Sequence, residues 1–453
     1  MMDITRPERS ADVCFAKFAV AQSFDSLPRS VVERTKAIFL DTLGIMARGA
    51  CAPSVSSLRK TLVHGGSGSS TVLGTPCKAH PSVAALLNAS LPTITQYDEG
   101  HRRSLGHPGI HIVPAAFAVG EDKRISGKDI IIAISTGYEV SARIGLSVFP
   151  MNPLVHPHGH WPTIGAAVAV GKILSFTERQ FVDLINSMST LTLFTWRKNT
   201  IAGATIHHLA PGLGASHAII VALAIQGGLI GPPRCLEEYF LPFSSSQPKP
   251  EILTEGLGNT YEILNNYFKA YPACAHAHSS IEALENILAT HSMSAEEVDR
   301  IEVRTYPLAS RLNERNPPNA LAGMFSIPYC LGTILVRGKL TVDGLATEAP
   351  MDPDILNAAS RIRVVVDGEL NPRYPEGRPS LVRVHLKNGA TYEHLVDLPR
   401  REKIDSIPGR ELEEKFLQMV EPLIGKGRGE ELKRRIQDLE SVADITELSV
   451  YLS

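Results

Sequence analysis

Between Ser10 and about Ile230 the sequence is a succession of apolar segments rich in alanine and glycine. They include VVERTKAIFLDTLGIMARGA, PSVAALLNASL, DIIIAISTGYEVSARIGLSV, PTIGAAVAVGKIL and GASHAIIVALAIQGG, joined by short polar connections. Such text reads as helix, and small residues such as Gly165, Ala166, Ala167, Ala169 and Gly171 suit helices packed closely on all sides. Ser30 with Glu33, Ser126 with Asp129 and Thr177 with Gln180 each put a capping oxygen before a helix, with an acid or amide three residues later. This part of the chain is therefore expected to be a compact helical domain.

After Gly231 the texture changes. PPRCLEEYFLPFSSSQPKPE reads as a surface excursion, and beyond Pro272 the pattern is mixed: a helix from about His278 to His291, strands in RIEVRTY and RIRVVVD, and a hairpin of LVRVHL and TYEHLVDL turned through Asn388-Gly389. From Gly409 to Leu439 amphipathic helix returns. The expected architecture is mainly α: a large helical domain of residues 1–271 and 403–453, with a smaller α+β domain, 272–402, inserted before the C-terminal helices.

The stretch QYDEGHRRSLGHPGIH, Gln96 to His111, lies between two apolar helical segments. It holds Asp98 and Glu99, three histidines (His101, His107, His111) and Arg102 with Arg103. A solvated turn could share this composition, but loops longer than roughly 4–6 residues between buried helices tend to be functional. Pro108 and Gly109 suit a loop-to-helix junction, where free N–H groups favour an anion such as a carboxylate.

Three further groups could carry chemistry. His156, His158 and His160 alternate ahead of a Gly/Ala-rich helix. In extended chain their i, i+2 spacing is about 7 Å, wide for bonds of roughly 2 Å to one metal ion; catalytic, substrate-binding and helix-capping roles stay open beside a metal. FKAYPACAHAH gathers Lys269, Cys274, His276 and His278 where the helical text ends, a place where either a cleft or a plain hinge can form. Tyr329 lies in an apolar helix containing Pro328, where a phenol hydroxyl needs a partner. His207 and His208, ahead of the Gly212–Gly214 turn, are a weaker signal.

With 45 basic and 47 acidic residues, the net charge of -2 gives no field to steer the chain toward nucleic acid or an anionic membrane. Six scattered cysteines lack the spacing of a zinc or iron–sulfur site and are expected to be free thiols. The first twenty residues lack a long apolar run, so a soluble, cytoplasmic protein is expected. Nucleotide-binding, nucleophile-elbow and metalloprotease motifs are not found. What remains is a set of His, Lys, Tyr and carboxylate groups suited to moving a proton next to a carboxylate.

In order along the chain, TKAIFLDTLGIMARGA, ALLNASLPTITQYDEGHRRSLGHPG, HGHWPTIGAAVAVGK, FKAYPACAHAH and FSIPYCLGTILVRGKL resemble the MmgE/PrpD family. The resemblance implies a homodimer with its active site between the two domains, working on small polycarboxylates without metal or organic cofactor. It implies dehydration of 2-methylcitrate, decarboxylation of cis-aconitate or epimerisation of iminodisuccinate. Position by position, Asp98 and Glu99 fall on the family's acidic segment, His107 on its His-Pro, and His158 or His160 on the histidine before the Gly/Ala helix. Lys269 matches the boundary lysine, Cys274 stands where some members have histidine, with His278 four residues on, and Tyr329 matches F-S-x-x-Y. The chain departs from the pattern at Gln96, usually acidic, Gly100, usually threonine, His207, often lysine, and Met324, often basic.

The reading that follows is a cofactor-free lyase, most simply a dehydratase of 2-methylcitrate type. A decarboxylase, an epimerase and a catalytically silent polycarboxylate-binding relative are the alternatives. In this scheme His158 or His160 takes the proton, His107 or Tyr329 assists the leaving hydroxide, and Asp98 orients a histidine. Lys269 holds carboxylate together with Arg102 or Arg103, and Gln96, His207, Cys274 and His278 complete the site.

Overall fold

The computed structural model describes residues 10–63, 68–345, 351–402 and 409–452. The expected domain boundary at residue 403 lies outside the described residues. Apolar side chains form two principal cores. One is built from helices between Ala11 and Gln226, continues to Phe268, and takes in Leu412, Phe416, Val420, Leu432 and Ile436 from the C-terminal helices. The other runs from Tyr271 to Val396.

In the first core, the Gly127–Ser147 and Trp161–Ile173 helices pack most closely. A Cβ added to Gly165 would lie 2.4 Å from both the Gly137 carbonyl oxygen and Ser141 Cβ, so the approach needs a residue without a side chain. The capping boxes at Ser126–Asp129 and Thr177–Gln180 form as the sequence predicts. The one at Ser30 does not: its helix begins at Arg29, and Pro28 at the cap position sets the entry angle by its fixed φ.

The C-terminal Gly409–Ile424 helix lays its apolar stripe on the Arg29–Ala50 helix, with Phe416 against Gly44. Each fully buried Leu, Phe or Ile there contributes about 1.5–3 kcal/mol. Lys415 crosses the same seam to Asp41 at 2.7 Å.

The second core lies under a four-stranded sheet ordered Thr391–Val396, Ser380–Leu386, Val298–Thr305, Ile362–Val366. The last pair is parallel and the other two are antiparallel. Gly389, at φ 89°, turns the predicted hairpin. Its helices include His278–Thr290 and Ile327–Arg337. Pro328 sits in the first turn of the latter, after the Ser326 cap, where its missing N–H costs nothing.

The apolar segment Thr205–Gln226 is long enough to cross a membrane, yet 56% of its apolar window is buried in the first core. It packs on the Pro81–Ala89, Gly109–Lys123 and Trp161–Ile173 helices and leaves Leu213, Ile220 and Leu223 on its outer side.

Gly165→Ala should lower stability by about 1–3 kcal/mol, through overpacking at this crossing. The measurement is the denaturant midpoint, and an unchanged midpoint would show that the helices separate freely.

Candidate active site

Between the two cores lies a cavity of about 780 Å³, its mouth included. The larger core supplies Gln96, His107, His156, His158, Arg197 and Lys269 to its wall. The smaller supplies Cys274, His276, Arg311 and Arg378. Leu105, Ile201, Leu312 and Phe325 give the wall its apolar portion.

The loop after the short Pro92–Thr95 helix starts with Gln96 in the left-handed region, φ 50°. This turn sends Asp98 inward and leaves the Gln96 carbonyl facing Lys269, whose Nζ donates to it at 2.8 Å. The same ammonium donates to Asp98 Oδ1 at 3.0 Å. On the other side Asp98 Oδ2 lies 2.7 Å from His107 Nδ1. The Nδ1–H itself points to the Glu99 carbonyl at 2.6 Å, so the carboxylate acts on His107 through charge, alongside that hydrogen bond. Burial alone would raise the Asp98 carboxyl, but His107 and Lys269 together outweigh it and hold it well below the usual carboxylate range. With Nδ1 engaged, Nε2 is the nitrogen His107 has left for chemistry.

Glu99 faces the other way. It accepts from the Gly109 amide at 2.7 Å and from the Tyr138 hydroxyl at 2.8 Å. Burial, with Asp41 and Asp98 nearby, pushes it up to about 8. It anchors the start of the Gly109–Lys123 helix, behind the cavity. Lys415 closes the same network from the C-terminal helix by donating to the Tyr97 carbonyl at 2.6 Å.

The alternating histidines do not lie in extended chain. The His158 amide donates to His156 Nδ1 at 3.1 Å, which folds the two rings to a centroid distance of 4.3 Å in place of the predicted 7 Å spacing. Gly159 then reverses the chain at φ 77°, and His160 leaves on the far side. There it bonds Ser244 at 2.9 Å between Phe194 and Phe240, off the cavity wall. His158 faces the cavity with its ring 5.4 Å from His107, and its Nδ1 meets His207 Nε2 at 3.2 Å. His207 stands behind His158, not on the wall. Burial holds His156 and His158 far below the ordinary imidazole value, and His207 at about 3.

Four cations reach the cavity. Lys269 is matched by Asp98, and Arg378 by Glu402 at 2.9 Å. Those two pairs cancel, which leaves Arg197 and Arg311. Arg197 donates to the Val155 carbonyl, while its Nε is buried without a partner. Neither guanidinium has a carboxylate partner among the described residues. His276 belongs to the boundary group read from the sequence; Arg197, Arg311 and Arg378 were not singled out there. Their text (TWRKN, ASRLN, EGRPS) is ordinary loop, and the only available cue was nearness to strand ends and to the domain boundary.

Other expected residues stand elsewhere. Tyr329 is buried in the smaller core against Gly323, with its hydroxyl at the Asp352 backbone, because the Ser326 cap turns that face of the helix inward. His278 packs edge-on to Tyr271 and lies 3.7 Å from Glu402, behind Arg378. Arg102 is drawn off by the Glu376 carbonyl and Arg103 is exposed. Cys274 and Gln96 are on the wall, although the Gln96 amide donates to the Thr93 carbonyl.

Burial also pushes His111 and His160 down to about 3, and His208 to about 4. Unfolded imidazoles titrate near 6.5, so the unfolded chain binds more protons below that value. The stability these groups contribute is complete above about pH 6.5 and is lost as pH falls toward about 3–4. Melting temperature should therefore drop steeply on acidification, and His160→Gln should shallow that dependence by about one proton. Superimposable pH profiles for the two chains would contradict this.

The MmgE/PrpD N-terminal domain profile matches residues 13–251 and the MmgE/PrpD C-terminal domain profile residues 271–441. A cis-aconitate decarboxylase of Aspergillus terreus (strain NIH 2624 / FGSC A1156) is 24% identical over 471 residues, covering 97% of this chain and 94% of the relative. The human cis-aconitate decarboxylase is 22% identical, covering 93% and 90%. A probable 2-methylcitrate dehydratase of Saccharomyces cerevisiae is 23% identical, covering 80% and 76%. With both profiles matched in order around this interdomain cavity, the chain belongs to the MmgE/PrpD family.

Proposed function

We propose that this chain is a lyase for a small unsaturated polycarboxylate, and that it acts as a decarboxylase of the cis-aconitate type. The observation that carries this reading is the pairing of one carboxylate-supported imidazole, His107 beside Asp98, with two uncompensated guanidinium groups across the same cavity. Arg197 and Arg311 suit two substrate carboxylates. The third carboxylate then lies toward the apolar part of the wall, where loss of charge as carbon dioxide is favoured.

The step needs one proton and no base. The His107 imidazolium donates from Nε2 to the alkene carbon, the carbon–carboxylate bond breaks, and its electron pair forms the new double bond while carbon dioxide leaves. Asp98 stabilises the cation before transfer. Lys269 holds Asp98 in place, and its third N–H remains for substrate.

Dehydration, the first reading of the sequence and the one the yeast relative favours, needs an acid and a base at once. Tyr329 is out of reach. Burial opposes the charged form of His158, the neighbouring imidazoles oppose it further, and it makes no ion pair with a carboxylate among the described residues. The cavity thus suits a single proton donor better than a matched pair.

Incubation with cis-aconitate in deuterated water should release carbon dioxide and leave one deuterium in the product, while 2-methylcitrate should lose water slowly or not at all. Faster water loss from 2-methylcitrate would reverse the assignment. His107→Asn should lower kcat by about 10²-fold or more. Arg197→Gln and Arg311→Gln should each raise KM by about tenfold or more, with a smaller effect on kcat. Unchanged kinetics in all three would remove the site.

We infer also that the chain pairs with a second copy of itself. Leu213, Ile220 and Leu223 share one side of the Leu209–Gln226 helix and are 36–53% exposed. Exposed Phe194, Trp196 and Phe243 lie on neighbouring segments. Exposed apolar side chains grouped in this way suit an interface. Ile220→Glu should convert a dimer to a monomer in sedimentation velocity, and a monomeric wild type would rule the pairing out.

A further inference from the structure

We propose that His156, His158 and His207 form a binding site for a divalent transition ion of the zinc class. Two separate segments supply it. The loop from Val155 folds His156 and His158 together, and the short Thr205–His208 turn brings His207 to within 4.7 Å and 5.0 Å of their rings. One nitrogen from each of the three rings falls within 4.8 Å of the other two. His158 Nδ1 and His207 Nε2 are only 3.2 Å apart. Two Zn–N bonds of about 2.0–2.1 Å meeting at a tetrahedral angle hold their nitrogens about 3.4 Å apart, so this pair already has the bite of a chelate.

The opposite ring nitrogens, His158 Nε2 and His207 Nδ1, find no hydrogen-bond partner, although each residue is 1% exposed. No protein group there holds either ring in one tautomer, so both His158 Nδ1 and His207 Nε2 can present lone pairs to an ion. The donor set selects the ion: three neutral imidazoles with no carboxylate suit zinc, cobalt, nickel or copper and disfavour magnesium and calcium. His156 and His158 line the cavity, so a fourth position opens toward it and can hold water or a ligand carboxylate. Asp98, His107 and His158 also converge within 4.8 Å. Asp98 is already matched to Lys269 and His107, which keeps that set for proton transfer.

The site depends on no assumption about the reaction. Its consequence does rest on the function proposed above: an ion at His158 puts positive charge beside His107 and opposes the imidazolium that donates the proton, so zinc inhibits.

The test is titration of the tag-free, metal-stripped full chain with Co2+, read by its visible d–d absorption, followed by displacement with Zn2+. One equivalent should bind with the intense bands of a four- or five-coordinate nitrogen site. His158→Ala, His207→Ala and the bulkier His207→Gln should each weaken Co2+ binding by about tenfold or more, and the exposed His291→Ala should not change it. Thermal melting identifies the variants that remain folded. Absence of stoichiometric binding to the intact chain overturns the proposal, and so does undiminished binding in any folded His158 or His207 variant. Inhibition does not enter these outcomes, so failure of the proposed reaction and failure of the site are told apart.

Discussion

A single buried carboxylate holds the centre of this molecule together. Asp98 is wholly enclosed, and its charge persists there only because Lys269 approaches one oxygen and His107 the other. Removing either partner breaks a buried ion pair and leaves Asp98 only the other, a change that typically costs about 3–5 kcal/mol. Two of the three residues come from the polar loop and one from the domain boundary, so the ion pairs also fix how those segments meet. Lys415 extends the network: it pairs with Asp41 and donates to the Tyr97 carbonyl, tying the C-terminal helix to the loop that carries Asp98. The return of the chain to its first domain is thus part of what shapes the cavity.

Electrostatics divides the histidines into two kinds. His107 has a carboxylate within ion-pair distance. His156, His158 and His207 make no ion pair with a carboxylate among the described residues, and burial, which outweighs the more distant Asp98, holds all three well below the ordinary imidazole value. Residues of the same type, within one ring's width of each other, are thereby given opposite tasks: one can carry a proton as a cation, and the others offer lone pairs. Sequence alone does not make this distinction, because it depends on where Asp98 points, and that is set by the left-handed turn at Gln96.

Much of the fold was legible. The apolar helical segments, two of the three capping boxes, the strands and the Asn388-Gly389 hairpin follow from local periodicity and turn chemistry, and the structure has them. The polar loop and Lys269 were legible for a different reason: charged residues between apolar helices must find partners. His160 and Tyr329 misled because a motif gives spacing without direction. One glycine at φ 77° turns His160 away from His158, and one serine cap rotates Tyr329 into the core. Arg197, Arg311 and Arg378 were invisible because each sits in a short loop, and the side of a loop that faces a cleft is decided by the opposing domain.

The charge balance of the cavity constrains what it can hold more tightly than its volume does. Two matched pairs leave Arg197 and Arg311, one from each domain, as the guanidinium groups on the wall with no carboxylate partner among the described residues, so a ligand with a single carboxylate leaves one of them uncompensated. A ligand with two can pair with both, and each such pair is stronger in a cavity with apolar walls than in water. A third carboxylate then has no guanidinium of its own. In the decarboxylation proposed above, that group is the one whose charge the apolar part of the wall disfavours, and its loss as carbon dioxide removes that charge.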